Sequence, residues 1–224
     1  MTDSVAPPPG APFAAPGQSA TPPPPSSPGW GTAATAIHGL QQIARPVLMS
    51  ITPDGHGSIA IDLRHQAYVW STPLSEFPTD PADVILGTYP IDGEAPGLAG
   101  DTRGIDPLLW MIGLHAFPGS RASWLRDGDK YRLKWWPDLD LLPATDNQLR
   151  TVKTLVKSLM TVEKLAQLTK LSVDEVQPVV NALSLMGALR RIEGKGGSPV
   201  LPPMADVVRA QPDRVRGRHV KRGS

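Results

Sequence analysis

Three short β-rich runs near the front of the chain, divided by polar turn residues, predict a small antiparallel meander. Val47-Leu48-Met49-Ser50-Ile51 and Ser58-Ile59-Ala60-Ile61-Asp62-Leu63 flank Pro53-Asp54-Gly55-His56-Gly57, which contains the Asp-Gly step of a tight turn. Ala67-Tyr68-Val69-Trp70-Ser71 adds a third strand. Prolines and glycines then punctuate Leu74 to Asp106, where only Asp83-Val84-Ile85-Leu86 reads as a strand. A loop of that length inside a compact domain points to an unrecognised element or a functional surface. Asp106 predicts an N-cap with Pro107 at the first helical position, opening a short apolar helix through Leu108, Trp110, Met111, Ile112 and Leu114 that covers the meander. Beyond Pro118-Gly119, the runs Ala122 to Leu125 and Tyr131 to Trp135 alternate around Asp127-Gly128-Asp129, the pattern of a hairpin.

The rear of the chain changes period. Asn147 to Leu159 carries Val152, Leu155, Val156 and Leu159 at helical spacing, and Thr161 caps a second helix over Val162 to Thr169 that buries Leu165 and Leu168. Ser172-Val173-Asp174-Glu175 is a capping box, and Val176, Val180, Leu183 and Gly187 continue from it at i, i+4, i+7 and i+11. Pro178 falls inside this third helix and predicts a kink or a later start. Ile192 to Val200, broken by glycines, supplies a basic hairpin.

Three short helices followed by such a hairpin resemble a winged helix, over about 55 of the 224 residues. The resemblance implies a module that either grips DNA or docks protein, and it places Ser172, Asp174, Glu175, Gln177 and Asn181 on the surface that would face a groove. Base and phosphate contacts call for Arg, Lys, Asn or Gln there, and two carboxylates repel phosphate. Helix three is therefore expected to dock protein, with DNA reading as the rival. Further forward, Gly57-Ser58-Ile59-Ala60-Ile61 and the Leu108–Leu114 helix resemble the PATAN-type interaction domains of bacterial signalling proteins, which implies a sheet-and-helix docking module.

Composition sets the outer limits. Ten of the 26 prolines lie between Pro7 and Pro28 among Ala, Gly, Ser and Thr, so residues 1–34 are expected to form a disordered leader. Pro9 to Pro12 and Pro22 to Pro25 fit the P-x-x-P spacing of groove ligands. Residues 35–143 are assigned to an α+β interaction domain, a small antiparallel sheet with a covering helix. The winged-helix-like domain takes 144–203 and a basic tail 204–224. The absence of cysteine excludes disulfides and thiolate chemistry, and neither a signal-like start nor a run of about 20 apolar residues is visible. A cytoplasmic protein that does not enter membranes is expected.

The net charge of +1 hides an asymmetry: residues 1–146 hold 8 basic and 15 acidic side chains, a net −7, and residues 147–224 hold 14 and 6, a net +8. Such a distribution calls for an acidic partner at the rear or contact between the halves. Candidate contacts to nucleic acid or an acidic protein are Arg150, Lys153 and Lys157 along helix one, Arg190, Arg191 and Lys195 around the wing, and Arg214, Arg216, Arg218, Lys221 and Arg222 in the tail.

No constellation carries chemistry. His38, His56, His65, His115 and His219 lack metal-ligand spacing, and nucleophile-elbow and phosphate-loop motifs are absent, so neither metal, cofactor nor catalytic residue is expected. The pairs Asp127/Asp129 and Asp138/Asp140 read as turn residues. Trp135 and Trp136 read with Trp110 and Trp124 as core and seam. The expectation is a non-enzymatic regulatory or adaptor protein that docks an unidentified protein partner and binds nucleic acid at most weakly and non-specifically. A DNA-binding transcriptional regulator is the alternative.

Overall fold

The computed structural model describes residues 29–43, 47–90 and 98–194. They form a mixed α+β structure. The strands β1 (Val47–Pro53), β2 (Ile59–Asp62), β3 (Ala67–Val69), β4 (Val84–Pro90) and β5 (Arg103–Gly104) make one antiparallel sheet in the order β4-β1-β2-β3-β5. The meander forms as its β-rich runs predict. The Asp83–Leu86 run grows into β4, which returns to pair with β1 rather than with its chain neighbour β3. Register places Met49 opposite Ile61 and Ile51 opposite Ile59, so these buried apolar side chains of β1 and β2 share one face with Tyr68.

An unexpected helix, α1 (Trp30–Gln41), precedes the sheet. It corrects the leader boundary at residue 34, because Trp30, Ala33, Ala34 and Ile37 recur at i, i+3, i+4 and i+7 and are all buried. Trp30 stacks on Phe77 at 4.6 Å and donates from Nε1 to the Pro78 carbonyl at 2.6 Å. Residues 1–28 lie outside the described residues.

The apolar helix α2 (Asp106–His115) begins one residue earlier than the sequence suggests: Ile105 is the N-cap, and Asp106 occupies the first turn without capping it. Leu108, Leu109, Trp110, Ile112, Gly113 and Leu114 are buried, so α2 is covered on more than one side. It packs against α1 and, more extensively, against α5 (Val173–Leu185). At Gly113 the approach is so close that an added Cβ would overlap the backbone of Ala182 on α5.

The rear helices are α3 (Asp146–Leu155), α4 (Val162–Thr169) and α5. Thr161 and Ser172 cap α4 and α5 as their sequences predict, and Thr145 caps α3 in a capping box with Gln148. Helix one stops four residues short of Leu159, which leaves Val156 exposed, and Leu168 of α4 is also exposed rather than buried. Pro178 neither ends nor delays α5; it removes only the N–H that would reach the Asp174 carbonyl. Gly187, at φ +69°, then turns the chain into β7 (Leu189–Ile192).

The expected hairpin between Ala122 and Trp135 does not form. Its second half becomes β6 (Lys130–Leu133), which pairs antiparallel with β7, Lys130 opposite Ile192 and Arg132 opposite Arg190. The other edge of β6 is engaged by Met160: Tyr131 and Met160 exchange two backbone hydrogen bonds of 2.8 and 3.0 Å. A single apolar core therefore runs from Trp30 and the sheet through α2 into α3, α4 and α5, across the boundary expected near residue 143. Residues 195–200, the rest of the expected wing, lie outside the described residues, as does the tail.

Candidate functional site

The helix that would read a DNA groove is turned inward. Asn181 is 1% exposed and Gln177 is 8% exposed, both within a helix whose residues Val176, Val179, Val180, Ala182, Leu183 and Leu185 are buried too. The Asn181 carbonyl oxygen accepts from the Ala122 N–H at 3.1 Å and from Gln177 Nε2 at 2.9 Å, and its amide donates to the Ser120 carbonyl at 3.0 Å. Asn181 pins the loop after α2 onto α5 and Gln177 bonds Asn181, so both are internal polar groups and not a docking surface. Asp174 and Glu175 do remain exposed. Glu175 is held in the Ser172 capping box, and hydrogen bonds from Ser172 and then Asn147 keep its carboxyl below the usual range.

Two other surfaces stay open. The first is a cleft of about 470 Å³ where the β5–α2 turn meets the α5–β7 turn. Ile105, Pro107, Trp135, Leu141, Leu142 and Met186 supply its apolar walls, and Lys134, Asp106 and Asp138 its charges. Burial pushes the Asp106 carboxyl above its ordinary value, which favours its neutral form there. Leu141 on the rim is 64% exposed. The size falls within the roughly 300–1,000 Å³ of sites that take small ligands or anchoring side chains.

The second is the outer face of the β6–β7 ribbon. Tyr131 points inward, with burial pushing its hydroxyl up to about 12, so alternation sends Lys130 and Arg132 outward. Arg190 stands directly opposite Arg132, and both are exposed with Lys130 and Lys134. Among the described residues none of these four cations has an ion-pair partner. Arg191, on the inner side, is different: it donates to the Trp124 carbonyl at 2.7 Å and lies 3.7 Å from the buried Asp129 carboxylate. Asp129 also accepts from the Arg126 and Gly194 amides, each at 3.2 Å. Asp129 is thus a turn residue, as expected, and so is Asp138, which accepts from the Asp140 amide.

Of the remaining sequence candidates, Arg150, Lys153 and Lys157 do gather along α3, around a depression of about 380 Å³ that also contains Asp146. Arg150 donates to the Thr169 carbonyl at 3.4 Å. Lys195, Arg214, Arg216, Arg218, Lys221 and Arg222 lie outside the described residues. Trp110 is core and Trp124 is half-buried, but Trp136 is 51% exposed and Trp135 is exposed beside it, which corrects their assignment to core and seam.

The titratable groups in the interior serve structure. Asp62 is fully buried; Arg64 donates to it from its backbone and guanidinium and His65 lies 2.9 Å away, and together these hold its carboxyl well below the usual range against the opposing effect of burial. His38 stacks on Trp124 at 4.2 Å, and burial followed by the Arg191 charge lowers its pKa. Among the described residues no three His, Asp or Glu side chains are placed to hold a metal ion, and no helix is long and apolar enough to cross a membrane. Neither a family model, nor a curated protein, nor a solved structure matches this chain.

The sequence already carried the Lys130, Arg132, Lys134 alternation, but nothing local indicated that Arg190 would stand beside it. The cleft had no sequence signal, since its walls come from four separated segments.

Proposed function

We propose that this chain is a non-enzymatic adaptor that docks a protein partner in the cleft walled by Ile105, Pro107, Trp135, Leu141 and Met186. The observation that carries this reading is the fate of α5: its polar residues Gln177 and Asn181 are spent on internal packing, while the cleft beside its C-terminus stays open. The α3–α4–α5–β7 order fits a winged-helix-like module, and β6 takes a place beside β7 that a returning wing strand would otherwise fill. In such an arrangement the third helix becomes scaffold, and docking falls to the seam between sheet and helices. The resemblance of the sheet and α2 to PATAN-type interaction domains supports the same reading by analogy. Aromatic and aliphatic anchors in a pocket are the usual centre of a protein interface, and Leu141 and Trp135 supply them here.

The test is chemical cross-linking in the native cell with wild-type protein and the Leu141→Asp variant, followed by reconstitution of whatever protein is recovered. The expected result is a partner that binds the purified wild-type chain and is lost with Leu141→Asp at unchanged thermal stability. A sequence-specific duplex footprint from the purified chain, with no such partner, would instead make it a DNA-reading regulator.

A further inference from the structure

We propose that the outer face of the β6–β7 ribbon, through Lys130, Arg132, Lys134 and Arg190, binds the phosphate backbone of single-stranded nucleic acid without sequence preference, with Trp136 offering a face on which an unpaired base stacks. This goes beyond the adaptor reading and does not depend on it.

Arg132 and Arg190 are direct cross-strand partners, and like charges in that position repel. The pair therefore concentrates positive charge on that face. Asp138, which charges the cleft beside Lys134, forms no ion pair with it among the described residues, and the three carboxylates nearest Lys130 and Arg190 are engaged elsewhere. Asp127 is paired with Arg121, Asp129 is buried under Arg191, and Glu193 lies 3.4 Å from Arg126 and 3.6 Å from Arg191. Alternate residues of a strand lie roughly 6.7 Å apart, so Lys130 and Arg132 form a row on β6 with Arg190 alongside on β7, and Lys134 extends the row where its N–H still bonds the Ala188 carbonyl at 2.7 Å. Such a row suits a linear polyanion.

The C-terminal segment narrows the occupant. Residues 195–224 carry seven Lys or Arg and two Asp, so positive charge continues well beyond the ribbon. A short acidic peptide uses little of that length, whereas a nucleic acid gains from every phosphate neutralised. Between single and double strands the aromatic residue decides: Trp136, half exposed two residues after Lys134, gains contact only from a base that is not already stacked in a duplex. Buried α5 offers a duplex no reading helix.

Fluorescence anisotropy on the full chain tests this, with labelled oligothymidylate of about 20 nucleotides, the corresponding duplex, and a poly-glutamate peptide as probes. The wild type is expected to prefer the single strand and to weaken with salt. The Lys130→Gln/Arg132→Gln/Arg190→Gln variant is expected to bind about tenfold more weakly at low salt, with the log–log salt slope shallower by about 2, since each lost phosphate contact removes roughly 0.7. Trp136→Ala should weaken single-strand binding while leaving that slope in place. Arg150→Gln/Lys153→Gln/Lys157→Gln removes the same charge from α3 and should cost less. Circular dichroism melts of each variant serve as the control for folding. The proposal is overturned if the ribbon variant binds like wild type, if the α3 variant loses as much, if duplex or poly-glutamate binds as tightly as the single strand, or if deleting residues 209–224 alone abolishes binding.

Discussion

Replacing Gly113 by alanine tests whether the sheet half and the helical half of the chain share one core. Gly113 lies on α2, and a Cβ built there would overlap the Ala182 backbone and come within 3.0 Å of the Ala182 Cβ. Helix propensity alone favours the substitution, because Ala is better than Gly in a helix interior by about 0.8–1.0 kcal/mol. Overpacking opposes it, at about 1–3 kcal/mol when a methyl enters a filled site. Here the obstacle is backbone, which cannot rotate away as a side-chain tip can, so the upper part of that range applies. The net is a loss of about 1–2 kcal/mol, or about 2–8 °C in thermal midpoint for a chain of this size. Circular dichroism melts of wild type and Gly113→Ala measure it. Adding Ala182→Gly removes the facing methyl but not the backbone that blocks the new Cβ, and itself costs about 0.8–1.0 kcal/mol of helix propensity, so it should not rescue the variant. A midpoint that is unchanged or raised in Gly113→Ala would refute close contact between α2 and α5, and with it the shared core.

Three further outcomes are expected. Deleting residues 1–34 removes Trp30, Ala33 and Ala34 from the core, so its midpoint should fall many degrees below that of a 1–28 deletion, since losing a buried Trp side chain costs about 3–5 kcal/mol; equal midpoints would show that α1 does not pack. Asp62, whose carboxyl is held below its ordinary 3.8, contributes stability that is fully present above that value and is lost as pH falls through the lowered folded-state pKa; the gap in urea midpoint between wild type and Asp62→Asn should therefore be wide at pH 7 and narrow in strong acid, and a pH-independent gap would contradict the sign. Asn181→Ala leaves the Ala122 N–H and Ser120 carbonyl without their partner, costing about 1–3 kcal/mol, yet should leave single-strand affinity of the folded protein unchanged; a selective loss of binding would return α5 to the role of a reading helix.

The elements legible in the sequence are those whose signals are local. Thr161 and the Ser172–Glu175 box fix the starts of α4 and α5 because a cap involves only its own first turn. The meander is legible because β-rich runs and an Asp-Gly turn suffice. What was not legible depends on distant partners. The stripe on α1 is regular, but two of its four buried residues are alanines that any surface tolerates, and it comes directly after a proline-rich stretch that draws attention away. β6 looked like half of a local hairpin, whereas its partner β7 lies some 60 residues on, and no local pattern encodes that pairing. Gln177 and Asn181 looked like surface groups because they are polar; their burial is acceptable only because Ser120 and Ala122 arrive to bond Asn181, which in turn accepts from Gln177.

The charge asymmetry, net −7 before residue 147 and +8 from it, suggested contact between halves as one outcome. The structure brings the halves together by other means. Among the described residues two ion pairs cross that boundary, Arg126 with Glu193 and Arg191 with Asp129, and they run in opposite senses, so neither half neutralises the other. The join is made by close apolar packing at Gly113 and Ala182, by the Asn181 hydrogen bonds and by the β6–β7 ladder. Among the described residues the exposed cations of the ribbon come from both halves, Lys130, Arg132 and Lys134 from the front and Arg190 from the rear, and the join consumes none of them in an ion pair, so solvent screens them and an external anion can reach them. A contact between halves built on charge would have consumed these cations in ion pairs; one built on packing leaves them for a partner.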